Sequence, residues 1–123
     1  MSGLGRKVLV ACTDALPPGT SKKFSLDAGG REVECFIVNW QGGYHAYVNR
    51  CRHIAMSLDW LENRFFDLER EFLQCPTHGA LYRPDTGFCV FGPPAGRSLI
   101  RVPLEIRGDE IYAGMPADFE DVP

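Results

Sequence analysis

Glycine and proline interrupt this chain so often that few long helices can form in it. Thirteen glycines and nine prolines divide 123 residues into short stretches. Proline removes a backbone donor, and glycine loses more freedom on ordering than any other residue, so neither suits a helix interior. The stretches between them are rich in Val, Ile, Phe and Tyr and alternate loosely in polarity, the pattern of half-buried strands. The expectation is an all-β fold of many short strands, packed as a small sandwich or barrel. With 45% hydrophobic residues the chain has enough apolar material for one core, so residues 1–123 are read as a single domain.

Strands are predicted over residues 7–12, 22–26, 31–40 and 44–48. A turn at 27–30 joins the second to the third, and Gln41-Gly42-Gly43 closes a hairpin onto the fourth. Residues 49–60 have no period and read as an irregular loop. Leu61, Phe65, Leu68 and Phe72 would share one face of a short helix, but a hairpin of 65–67 with 71–74 is preferred. Residues 81–83 and 88–90 flank a Pro84-Asp85-Thr86-Gly87 turn, and 91–96 form a Gly/Pro loop. A last hairpin is expected between 100–106 and 111–113, followed by a frayed acidic tail over 115–123.

Charge and cysteine content narrow the function. A net charge of −3 without a basic stripe disfavours nucleic acid. No apolar run approaches the roughly 18 residues of a membrane span. Leu9-Val10-Ala11-Cys12 imitates a lipoprotein cleavage site, but its apolar run of about four residues is shorter than a signal core of about 7–15. Cys12 is read instead as a partly buried thiol ending the first strand. Five cysteines, an odd number, fit a thiol or metal role in a cytoplasmic protein better than a disulfide scaffold.

Two clusters carry chemistry: Cys51-Arg52-His53 and Cys75-Pro76-Thr77-His78-Gly79. Each offers one thiolate and one imidazole in a segment expected between strands. Four such donors suit tetrahedral zinc or an iron–sulfur cluster. Structural zinc usually takes Cys–Cys and His–His pairs, whereas here each pair is mixed. A mixed pair lets both cysteines bind one iron and both histidines the other, the partition of a Rieske centre. Gly79 supplies the small residue that a tight turn beside a metal requires.

These motifs resemble the Rieske iron–sulfur family, whose pattern is Cys-x-His, a spacer, then Cys-x-x-His-Gly. Pro76 fits the Cys-Pro-x-His-Gly form, residues 81–89 look like the strand–turn–strand that follows, and Phe91-Gly92-Pro93-Pro94-Ala95 is similar to the family's third, proline-containing loop. The resemblance implies an antiparallel β-sandwich base with a small cluster-binding subdomain, here about 49–94. It implies one 2Fe–2S cluster per chain, with Cys51 and Cys75 on the buried iron and His53 and His78 on the outer one. Gly79, Tyr82 and Pro93 would surround these ligands, Tyr82 as a donor to a ligand sulfur.

The departures matter as much. The spacer 54–74 is 21 residues, longer than most soluble members carry. Met56 and Thr77 stand where high-potential members have a disulfide, and Ala80 stands where they place a serine donor. Fewer donors leave the extra charge of reduction less stabilised, so a potential in the lower part of the Rieske range of about −150 to +300 mV is expected.

His45 lacks a cysteine neighbour and is read as structural. Cys35 and Cys89 are read as buried thiols, and Trp40 and Trp60 as core or lid residues. Acidic side chains between 59 and 71 are read as a solvated face. With two of three histidines committed, a further two-His, one-carboxylate iron site is excluded. The chain is therefore expected to be no enzyme but a cytoplasmic Rieske-type ferredoxin, passing single electrons from a reductase to a terminal oxygenase or similar acceptor. The rivals are a small Rieske subunit of a nitrite-reductase-type complex and a structural zinc module.

Overall fold

The computed structural model describes residues 8–28, 31–49, 65–66, 71–74, 80–92 and 95–114. The expected clusters at 51–53 and 75–79, Pro93, Trp60, most of the 54–74 spacer and the tail 115–123 lie outside them. Ten strands are present among the described residues: β1 (Val8–Cys12), β2 (Ser21–Ala28), β3 (Arg31–Trp40), β4 (Gly43–Val48), β5 (Leu73–Gln74), β6 (Leu81–Tyr82), β7 (Cys89–Phe91), β8 (Arg101–Val102), β9 (Leu104–Arg107) and β10 (Glu110–Ala113). A 3-10 turn at Thr13–Ala15 follows β1. All pairings between these strands are antiparallel, in sheets ordered β1-β10-β9, β2-β3-β4-β8 and β5-β6-β7. The all-β expectation holds.

Two compact units divide the chain: Met1–Val48 with Ile100–Pro123, and Asn49–Leu99. In the first, register decides what is buried. Phe24 pairs with Cys35, and Leu26 with Val33. Val48 also pairs with Cys35, Ala46 with Ile37, and Val102 with Ala46. Because side chains alternate across a strand, these residues share one face of the sheet. They meet Val10, Ala11, Ile111 and Ala113 of the other sheet in a single apolar core. This is the sandwich base. On the opposite face of β3 and β4, Phe36 and Tyr47 pair and are also fully buried, their ring centroids 5.9 Å apart.

The β3–β4 hairpin closes through Gln41 and Gly42, both left-handed at φ 54° and 89°. Two positive φ values in a two-residue loop match the twist of the flanking strands. Buried Asn39 ties this hairpin to the loop after β1: its Nδ2 donates to the Leu16 carbonyl at 2.8 Å, and its Oδ1 accepts from Gly42 N–H at 3.0 Å.

Three expectations need revision. Cys12 is exposed, because the register of β1 slips between Leu9 and Ala11. The bulge turns two successive residues, Val10 and Ala11, to the core and resets the alternation, so Cys12 faces solvent. The strand expected over 100–106 is two strands in two sheets, β8 beside β4 and β9 beside β10. Pro103 lies between them and has no N–H to continue a ladder. Finally, β2 runs on through Asp27 and Ala28, expected in the turn, and they pair with Glu32 and Arg31.

In the second unit, Phe66 bridges Leu73 in antiparallel sense, and Gln74 N–H donates to the Phe65 carbonyl at 2.8 Å. That pairing agrees with the preferred hairpin at Phe66 and Leu73. The Pro84–Gly87 turn is present. Arg83 N–H donates to the Phe88 carbonyl at 2.9 Å, Gly87 has φ 78°, and Arg83 makes a two-pronged bond to Asp85 at 3.0 and 3.1 Å. The ion pair raises the Arg83 pKa above its ordinary value, mainly through the side-chain hydrogen bond.

Candidate metal centre

The second donor pair stands in a connection whose ends are fixed by pairing. Gln74 of β5 faces Leu81 of β6, and Leu73 faces Tyr82. Cys75 follows directly on Gln74, and Ala80 directly precedes Leu81. Residues 75–80 join β5 to β6 in sequence, and Cys75 and His78 are three apart among them. The first pair comes soon after β4, whose last residue is Val48, with buried Asn49 next. Cys51, His53, Cys75 and His78 themselves, with Gly79, lie outside the described residues.

Around β5 and β6 the unit is tightly built. Ala80 and Tyr82 are buried, as are Phe65, Leu73, Cys89 and Leu99. Gly92, at φ 103°, comes so near Ala80 that a Cβ on it would stand 2.8 Å from Ala80 Cα and 3.1 Å from Ala80 Cβ. No real Cβ sits that close to a backbone atom, so glycine is required by space and by φ alike. Gly92 is thus laid against the residue two places after His78. Sequence reasoning singles out Pro93 here and passes over Gly92. A Gly-Pro pair signals a turn but not the close approach that makes the glycine indispensable.

The remaining thiols and the third histidine serve other ends. Cys35 is buried in the base; desolvation, reinforced by the Glu34 carboxylate, pushes its pKa up to about 12. It is a neutral thiol at physiological pH and a poor metal ligand. Cys89 is also buried, and its Sγ donates to the Phe91 carbonyl at 3.2 Å. His45 is half-buried on β4, with Nδ1 3.4 Å from Arg101 Nη2, and Arg101 also lies 5.9 Å from the Tyr47 ring centre. A cation at that distance makes His45 a poor partner for a metal ion.

Comparison with known proteins gives the family and the fold. The family model described as Rieske [2Fe-2S] domain matches residues 6–105, and the chain belongs to that family. Its cofactor is one Rieske 2Fe–2S cluster per chain, and the donor set of two thiols and two imidazoles suits that group. Among curated proteins none matches the chain. Among solved structures, the ferredoxin of carbazole 1,9a-dioxygenase from Nocardioides aromaticivorans IC177 superposes with a TM-score of 0.66 at 24% identity, covering 89% of this chain and 97% of that one. A chain from the complex of reduced oxygenase and oxidized ferredoxin in carbazole 1,9a-dioxygenase gives a TM-score of 0.68 at 20% identity, with 88% and 92% covered. A 2-oxoquinoline 8-monooxygenase component gives 0.70 at 18% identity, covering 96% of this chain but 28% of its own. At these identities the likeness establishes the fold. Among the described residues no helix is long and apolar enough to cross a membrane.

Proposed function

We propose that the chain is a cytoplasmic one-electron carrier, a Rieske-type ferredoxin that takes electrons from a reductase and delivers them to a terminal oxygenase or similar acceptor. The observation that carries this reading is the family match over residues 6–105, which includes both Cys–His pairs. Cys51 and Cys75 would hold one iron, and His53 and His78 the other, within a subdomain of about 49–94. The bound cluster supplies a centre that gains and gives back one electron at a time.

The chain's own residues set the conditions for that exchange. Two thiolates offset the positive charge of the oxidised centre, so reduction adds one negative charge to the site. By the family resemblance the hydroxyl of buried Tyr82 would donate to a ligand sulfur, while Ala80 carries no donor. The imidazoles of His53 and His78, on the outer iron, would present the edge through which electrons leave.

A carrier is favoured over an oxygenase by the likeness to a ferredoxin covered over 97% of its length.

The test is direct. Anaerobically purified protein should hold about two iron and two acid-labile sulfide per chain. Its cluster should be reduced by a flavin-dependent reductase and reoxidised in one turnover by a Rieske oxygenase. A colourless zinc protein, or a cluster that oxygenases leave reduced, contradicts the proposal.

A further inference from the structure

Cys89 makes three hydrogen bonds to the segment that follows it. Its N–H donates to the Arg97 carbonyl at 2.8 Å, its carbonyl accepts from Gly96 N–H at 3.2 Å, and its Sγ donates to the Phe91 carbonyl at 3.2 Å. The first two close the far end of the turn. The thiol, together with the pairing of Phe91 with Leu81, holds the near end, at the residue before Gly92. Ala95 N–H donates to the Gly92 carbonyl at 3.0 Å, so Gly92 is fastened from within the turn as well. Gly92 in turn lies against Ala80, two residues from His78. Across the sheet Cys89 pairs with Tyr82, and both side chains are buried. One residue thus links the turn, the strand of the proposed sulfur donor and the backbone beside a proposed ligand.

We propose that Cys89 is a positioning residue for the redox centre: its thiol fixes Phe91 and Gly92 against Ala80, and so sets how closely the chain encloses the cluster. This inference rests on the reading of residues 51–53 and 75–78 as cluster ligands. A reduced centre carries one more negative charge than the oxidised one. Loosening the turn lets water approach, which favours the charged form and raises the potential. Valine at 89 keeps the bulk and removes the donor, whereas serine keeps a donor.

The experiment measures two quantities on the cluster-loaded protein: midpoint potential by voltammetry, and amide exchange of Ala95 and Gly96 by mass spectrometry. For Cys89→Val the potential should move upward, with exchange at Ala95 and Gly96 roughly two- to fivefold faster, as loss of one weak hydrogen bond implies. Cys89→Ser should restore both toward the parent values. An unmoved potential in Cys89→Val, or a moved potential with unchanged exchange, overturns the inference. Absence of a Rieske spectrum in the parent protein would instead refute the ligand reading beneath it.

Discussion

Tyr82 and Cys35 are both fully buried, yet their polar atoms meet different fates. A phenol in the interior needs a partner for its O–H. On the proposed reading that partner would be a ligand sulfur, where a donor stabilises the reduced state. Tyr82→Phe should therefore keep the cluster and lower its midpoint potential by roughly 20–60 mV, the one-electron equivalent of a net hydrogen bond of about 0.5–1.5 kcal/mol. Voltammetry at constant pH checks this; an unchanged potential would separate Tyr82 from the centre. Cys35 instead stays protonated, its pKa pushed up to about 12 by burial and then by Glu34. Unfolding returns it to an ordinary thiol that ionises near pH 9. Its protonated form therefore favours the native state fully below pH 9, and that support is lost as pH rises from 9 toward 12. Urea midpoints measured across that window should fall less steeply in Cys35→Ala than in the parent protein.

At the scale of elements, two glycines with positive φ separate strain from crowding. A Cβ at Gly42 meets nothing within 4 Å, whereas one at Gly92 meets the Ala80 backbone at 2.8 Å. Gly42→Ala should destabilise by about 1–2 kcal/mol, the cost of a left-handed residue. Gly92→Ala should cost about 2–5 kcal/mol, because overpacking adds to the strain, and it should reduce cluster content as well. Denaturation curves and iron analysis of the pair decide this, and equal effects would contradict the contact. The strands themselves were readable wherever alternation met a core: Val33, Cys35 and Ile37 face inward as their spacing demands. Alternation fails where the backbone inserts a residue or changes sheet. The bulge at Val10-Ala11 exposes Cys12, and Pro103 divides a run that reads as one strand. Both are decided by pairing partners distant in sequence, which a local period does not reveal.

At the scale of the whole molecule, the core of the first unit and the proposed ligands occupy different parts of the chain. Every residue of that core comes from Val10–Val48 or Ile100–Ala113, and every proposed ligand lies between 51 and 78. Stripping iron from the protein should therefore leave β2, β3 and β4 protected from amide exchange, while peptides from 49–99 exchange faster. Loss of protection throughout both units would show that the cluster holds the base together too. The cofactor was legible in sequence because soft and borderline donors are scarce and their mixed Cys–His pairing suits an iron–sulfur cluster. Two Cys–His pairs left zinc or an iron–sulfur cluster, and their mixed order favoured the cluster. The surroundings were less legible, because the closeness of Gly92 to Ala80 and the bonds of Cys89 depend on how three strands pair.

Pulsed electron paramagnetic resonance of the reduced protein, with its histidines labelled with nitrogen-15, tests the central assignment most directly. The account predicts hyperfine coupling from two distinct imidazole nitrogens, one lost in His53→Ala and the other in His78→Ala if any cluster survives. A reduced cluster without coupled histidine nitrogen, or one whose coupling arises from His45, would contradict it.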